Sequence, residues 1–109
     1  MHSDHDAFLS AIRTRELVRI VFVAKSDGAR RERTCAPLDF GPSRRAKTPT
    51  PKYHVHDLDS PSGRHALSLD AEQIVSIVPT GETFDPADIV TWDTRSSPWH
   101  IERDWGAQS

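Results

Sequence analysis

Apolar positions change their spacing along this chain, and each change predicts an element. From Asp6 to Thr14, Phe8, Leu9, Ala11 and Ile12 fall on one helical stripe, so a short amphipathic helix is expected there. Asp4 or Asp6 is placed to accept the free amide hydrogens of its first turn. Glu16 to Ala24, ELVRIVFVA, is a β-branched run with Val18, Ile20 and Phe22 on one face and Val21 and Val23 on the other, the pattern of a central strand. Ser26-Asp27-Gly28 supplies a tight hairpin turn, because glycine reaches positive φ without a Cβ clash. The returning strand, Arg30 to Leu38, puts Arg31, Arg33 and Cys35 on one face against Glu32, Thr34 and Ala36 on the other.

Residues 41 to 52 read as a long loop, since Pro42, Pro49 and Pro51 cannot donate to a sheet ladder. Tyr53 to Leu58 and Arg64 to Leu69 form a second hairpin around Ser60-Pro61-Ser62-Gly63, and Ile74 to Val78 is a fifth strand closed by Pro79-Thr80-Gly81. Asp85-Pro86 opens a short C-terminal helix reaching about Trp92. One helix followed by five short strands predicts a mainly β domain: a small, strongly bent antiparallel sheet or an Sm-like or SH3-like barrel. At 109 residues and 36% hydrophobic content there is material for one modest core, here assigned to residues 1–92. Residues 93–109 form a polar tail, and all three tryptophans, Trp92, Trp99 and Trp105, lie at or beyond the end of that domain. These rings are expected to pack on the sheet or on a second subunit, with a homodimer slightly favoured.

Charge alters the picture more than composition does. Residues 25 to 52 hold eight of the fourteen Lys and Arg against three of the sixteen Asp and Glu, a local +5 in a chain whose net charge is −2. An asymmetry of that size points to a polyanionic partner. No apolar run approaches the length of a membrane span, and MHSDHDAF lacks the features of a signal peptide, so a cytoplasmic protein with no membrane partner is expected. Cys35 is the single cysteine, which excludes an intrachain disulfide and fits a reducing compartment, with the thiol buried and structural.

The order of elements resembles the WYL domain family, bacterial modules with a small Sm-like or SH3-like barrel. The segments that carry the resemblance are Leu17 to Ala24, Asp27-Gly28, Arg33 to Leu38, Lys52-Tyr53-His54, Arg64 to Leu69 and Ile74 to Phe84. Of the namesake Trp-Tyr-Leu only Tyr53 is kept, and Asp70-Ala71-Glu72-Gln73 stands where the family carries a second arginine. Arg33, Tyr53 and Arg64 are the matching positions. The resemblance implies a stand-alone regulatory module that binds nucleic acid or a nucleotide-like effector, in transcriptional regulation or phage defence.

The residues point the same way. Arg31 and Arg33 share a strand face, and Arg44, Arg45, Lys47 and Lys52 follow in the loop, so several cationic groups can grip one phosphate-bearing ligand, with Arg64 assisting. Tyr53 is expected to offer its ring to a base. His54 and His56, two apart on a strand with Asp57 or His65 nearby, are candidates for zinc, but such a pair is better read as half-exposed polar positions, and no metal or cofactor is expected. No nucleophile elbow, phosphate-cradling glycine loop or spaced carboxylate pair is present, so the chain is not read as an enzyme. The alternative is an interaction or assembly domain in which the acidic, tryptophan-bearing C-terminus docks on a partner or a second copy.

Overall fold

The computed structural model describes residues 2–43 and 50–109. Helix α1 (His5–Thr14) is followed by β1 (Glu16–Val23), β2 (Arg30–Pro42), β3 (Pro51–Asp57), β4 (His65–Leu69) and β5 (Ile74–Thr83). The strands form one antiparallel sheet in the order β4-β3-β2-β1-β5. Its edges, β4 and β5, are not paired, so the sheet is open and the barrel alternative does not hold.

The bend is built into β2. Its first half pairs with β1 and its second half with β3, Cys35 being opposite both Val18 and Asp57. A register shift between Pro37 and Asp39 lies in the second half, where an extra residue sharpens the local twist. Val18, Ile20 and Phe22 of β1 and Tyr53 and Val55 of β3 face the concave side with Cys35. Helix α1 covers that side with Phe8, Ala11 and Ile12, all buried, as its stripe requires. Asp4 does not cap the helix; its carboxylate accepts from the Ile77 N–H of edge strand β5 at 2.9 Å.

Four elements differ from their sequence expectation, β3 among them: it begins at Pro51, opposite Pro42 of β2, inside the stretch expected to be a loop. Strand β2 runs past Leu38 to Pro42, and β5 runs past Val78 to Thr83 through Pro79 and Gly81. An edge strand tolerates the missing proline donor on its unpaired side. The C-terminal helix is reduced to a single 3-10 turn, Pro86–Asp88, although Asp85 caps it as expected by accepting from the Ala87 N–H at 3.0 Å. Ile89, Val90 and Thr91 are β-branched and lose side-chain freedom in a helix, and Val90 is instead buried in the core.

The tail packs on its own chain. Trp105 is buried, its indole N–H donates to the Ile12 carbonyl at 2.8 Å, and its ring meets Phe84 edge-on. Arg103 lies between Trp99 and Trp105, its guanidinium 4.0 and 4.5 Å from the two ring centroids. It pairs with Asp39 of β2 at 3.2 Å and donates to the Leu38 carbonyl. The Asp39 carboxylate also accepts the His100 and Ile101 amide hydrogens, each at 2.9 Å. A Cβ on Gly41 would collide with the His100 ring, so glycine is required where the tail crosses β2. Of the two packings expected for the tail tryptophans, the structure shows Trp99 and Trp105 against their own chain. No helix among the described residues is long and apolar enough to cross a membrane.

Two stability outcomes follow from this packing. Asp39→Ala leaves the buried Arg103 guanidinium without its carboxylate and is expected to cost about 3–5 kcal/mol in urea unfolding. Phe8→Ala is expected to cost about 3 kcal/mol or more, because the ring is fully enclosed.

Candidate functional site: a cationic pocket at the open end of the sheet

One inward face of the sheet carries two chemistries. Along β2 the residues opposite Val18, Ile20 and Phe22 are Cys35, Arg33 and Arg31, so the face that is apolar under α1 becomes cationic toward the β1–β2 turn. The sheet is open there, and a cavity of about 390 Å³ forms between Phe22, Arg31, Arg33, Asp57, Leu67 and the β1–β2 turn. Lys25 and Lys52 join its lining, which among the described residues makes four cationic side chains beside the Asp57 carboxylate.

Each of these cations has a carboxylate partner. Arg33 lies 3.5 Å from Asp57, whose side chain is only 2% exposed, and Asp57 also accepts the Asp59 amide hydrogen at 2.9 Å. Arg31 pairs with Asp27 across the β1–β2 turn at 2.8 Å, with both groups well exposed. Asp70 bridges Lys25 and Lys52, the latter at 3.6 Å. The hydrogen bond from Lys25, with the Lys52 charge nearby, holds the Asp70 carboxyl below the usual carboxylate range. The Asp27 carboxyl is likewise low, through the Ala29 amide hydrogen first and Arg31 next. Such a pocket presents fork-shaped and point-like donors together, a set suited to phosphate oxygens.

The structure divides the sequence-predicted site residues. Arg31, Arg33 and Lys52 come together in the pocket. Arg64 is exposed and lines a separate recess with His56, Asp85 and Asp88. Arg44, Arg45 and Lys47 lie outside the described residues. Tyr53 is fully buried: it packs against Phe8 and Phe40, and its hydroxyl is bonded to the His2 amide and to the His5 ring. No face of that ring is free for a base, so the stacking role expected of Tyr53 is withdrawn.

His54 is engaged through both ring nitrogens. Nε2 lies 2.8 Å from the Gly41 carbonyl and donates to it, and Nδ1 is hydrogen-bonded to the Ser68 hydroxyl at 2.8 Å. Burial pushes the His56 imidazole below its usual value, with Arg64 adding to the shift. No cluster of three ligating side chains occurs among the described residues, so the two histidines do not converge on a metal position. Cys35 sits at the boundary between core and pocket. Burial, helped by Asp57 and Asp59, pushes its thiol up to about 12.

Two groups of residues escaped the sequence reading. Lys25, Gln73 and His65 complete the cationic pocket; the β1–β2 hairpin brings in Lys25, and Gln73 arrives from the turn before β5, where its amide donates to the Val23 carbonyl. On the opposite face of β3, Trp92, Trp99, His54, Ser68 and His100 enclose a second cavity of about 330 Å³, created by the tail. No family model, curated protein or solved structure matches the chain.

The two arginines should respond differently to removal. Arg33→Ala strands the buried Asp57 carboxylate and is expected to cost about 3 kcal/mol. Arg31→Ala breaks an exposed pair and should change stability by less than about 1 kcal/mol. Thermal or urea unfolding of both variants checks this, and Cys35 in the folded protein should resist iodoacetamide at pH 8 until denaturant is added.

Proposed function

We propose that this chain is a regulatory ligand-binding module of WYL type, and that its cationic pocket takes a phosphate-bearing nucleotide, free or within a single-stranded nucleic acid. The observation that carries the reading is the convergence of Arg31, Arg33, Lys25 and Lys52 on one open cavity at the end of the sheet. The resemblance in element order supports it, with Arg33 the matching position that lies in the pocket. A role in transcriptional regulation or phage defence in a bacterial cytoplasm belongs to the same proposal. The assembly reading has less support, because the tail already holds Trp105 against α1 and Arg103 against β2 of its own chain.

The test is titration of a labelled oligonucleotide at about 50 mM salt and above. With two or three phosphates engaged, the logarithm of affinity should fall against the logarithm of salt with a slope of roughly −1.5 to −2. Arg31→Ala or Lys52→Ala should flatten the slope by about 0.7, since each removes one phosphate contact. A salt-independent affinity, or none at tens of micromolar protein, would reject the reading.

A further inference from the structure

The second cavity has a lining unlike the first. Trp92 and Trp99 meet edge to face with ring centroids 5.6 Å apart, and Pro42 and Pro98 border the same space. Trp105, by contrast, is sealed in the core, whereas Trp92 remains 42% exposed beside an open cavity. Polar groups sit among these rings: the Ser43, Ser68 and Ser97 hydroxyls and the His100 imidazole. At about 330 Å³ the space lies at the lower end of the range for small-ligand sites. An aromatic wall with hydroxyl and imidazole groups at its edge suits a planar heterocycle, which stacks on the rings and directs its hydrogen-bonding edge at the polar groups.

Position narrows the ligand further. Ser68 of β4 lines both cavities. Strand β4 is an unpaired edge, with Leu67 and Leu69 turned to the cationic side and Ser68 toward His54 on the other. A chain that crosses this edge can therefore enter both cavities. Among the described residues, one offers four cationic side chains beside Phe22, and the other offers the Trp92 and Trp99 rings with no lysine or arginine in its lining. Alternating phosphate and base is the chemistry of a single-stranded nucleic acid.

We propose that the Trp92–Trp99 cavity is a nucleobase pocket, occupied by one base of a single strand whose adjoining phosphates lie in the cationic pocket across β4. The inference rests on the phosphate reading given above and assigns the base platform that Tyr53 cannot provide. Stacking on Trp92 holds the base, and the hydroxyls around it orient its edge. A free nucleoside, lacking the phosphates, engages only this half of the site and binds weakly.

The experiment compares an oligothymidylate of about six nucleotides with an abasic strand of the same length, on the intact protein and on Trp92→Ala and Trp92→Phe. Wild type should bind the oligothymidylate roughly tenfold tighter than the abasic strand, within the span that one stacked base supplies. Trp92→Ala should erase that preference while leaving abasic binding and its salt slope unchanged, and Trp92→Phe should recover part of it. Oligothymidylate, but not the abasic strand, should quench tryptophan emission in wild type, and Trp92→Phe should lose most of the quenching. Equal binding of the two strands by wild type overturns the base pocket and leaves the phosphate reading standing. An unchanged preference in Trp92→Ala overturns it too. If neither strand binds, both readings fall. Because Trp92 is half exposed and outside the buried core, circular dichroism of the variants should match wild type.

Discussion

The buried Asp39 carboxylate holds this structure together in a way the sheet alone does not. It accepts from two consecutive tail amides and pairs with Arg103, whose side chain is only 1% exposed. Burial draws the Arg103 guanidinium down to about 10, opposed by the Asp39 charge, so the guanidinium stays charged at neutral pH. Taken alone, a buried ion pair is weak evidence for stability, since desolvating both charges offsets much of their attraction. Here its effect is positional. Once Arg103 is fixed, the rings on either side of it are fixed too, and Trp105 closes the end of the core between Ile12 and Phe84. A mixed core of one helix and an open sheet is thin at 109 residues, and the tail supplies its missing wall.

The same constraint creates the aromatic cavity. Because the tail is tied at Asp39 and passes over Gly41, it crosses the face of β2 and β3 opposite Tyr53 and Phe40. Trp99 is drawn over that face by Arg103 and by its own N–H bond to the Gln108 carbonyl at 2.8 Å, and Trp92 leans on Trp99 from the outer side. The concave face is left to α1 at one end and to solvent at the other, where the cationic pocket lies. Two cavities of different chemistry thus follow from one open sheet covered differently on its two faces.

Alternation made the sheet legible, because Val18, Ile20 and Phe22 repeat with the period of a pleat and Asp27-Gly28 turns the chain between them and the arginines. The same count, applied to β3, places Tyr53 with Val55 on the inward face and His54 and His56 on the other. The charge around Tyr53 in sequence and its match to the WYL pattern point to a ligand, whereas period two puts its ring in the core. The length of β5 was not legible, since Pro79 and Gly81 signal a stop in a central strand but are tolerated at an edge, and edge position is a property of topology. The tail was illegible for a similar reason. Asp39 and Arg103 are 64 residues apart, and nothing in the spacing of either one names the other.

The charges in the cationic pocket explain how a chain of net negative charge can present a site for an anion. Arg31, Lys25 and Lys52 lie at a solvent-facing rim, where the carboxylates of Asp27 and Asp70 offset much of their field. A phosphate entering the pocket competes with these carboxylates and gains only the difference between the two interactions. Arg33 is in another position: its partner Asp57 is buried and cannot turn to water, so that pair stays formed and contributes a fixed donor surface. Affinity from charge alone is thereby limited, and the proposed discrimination rests on groups outside these ion pairs. On the proposed reading those groups are the Trp92 and Trp99 rings and the hydroxyls beside them across β4, and a strand that reached both cavities would gain over any ligand confined to one.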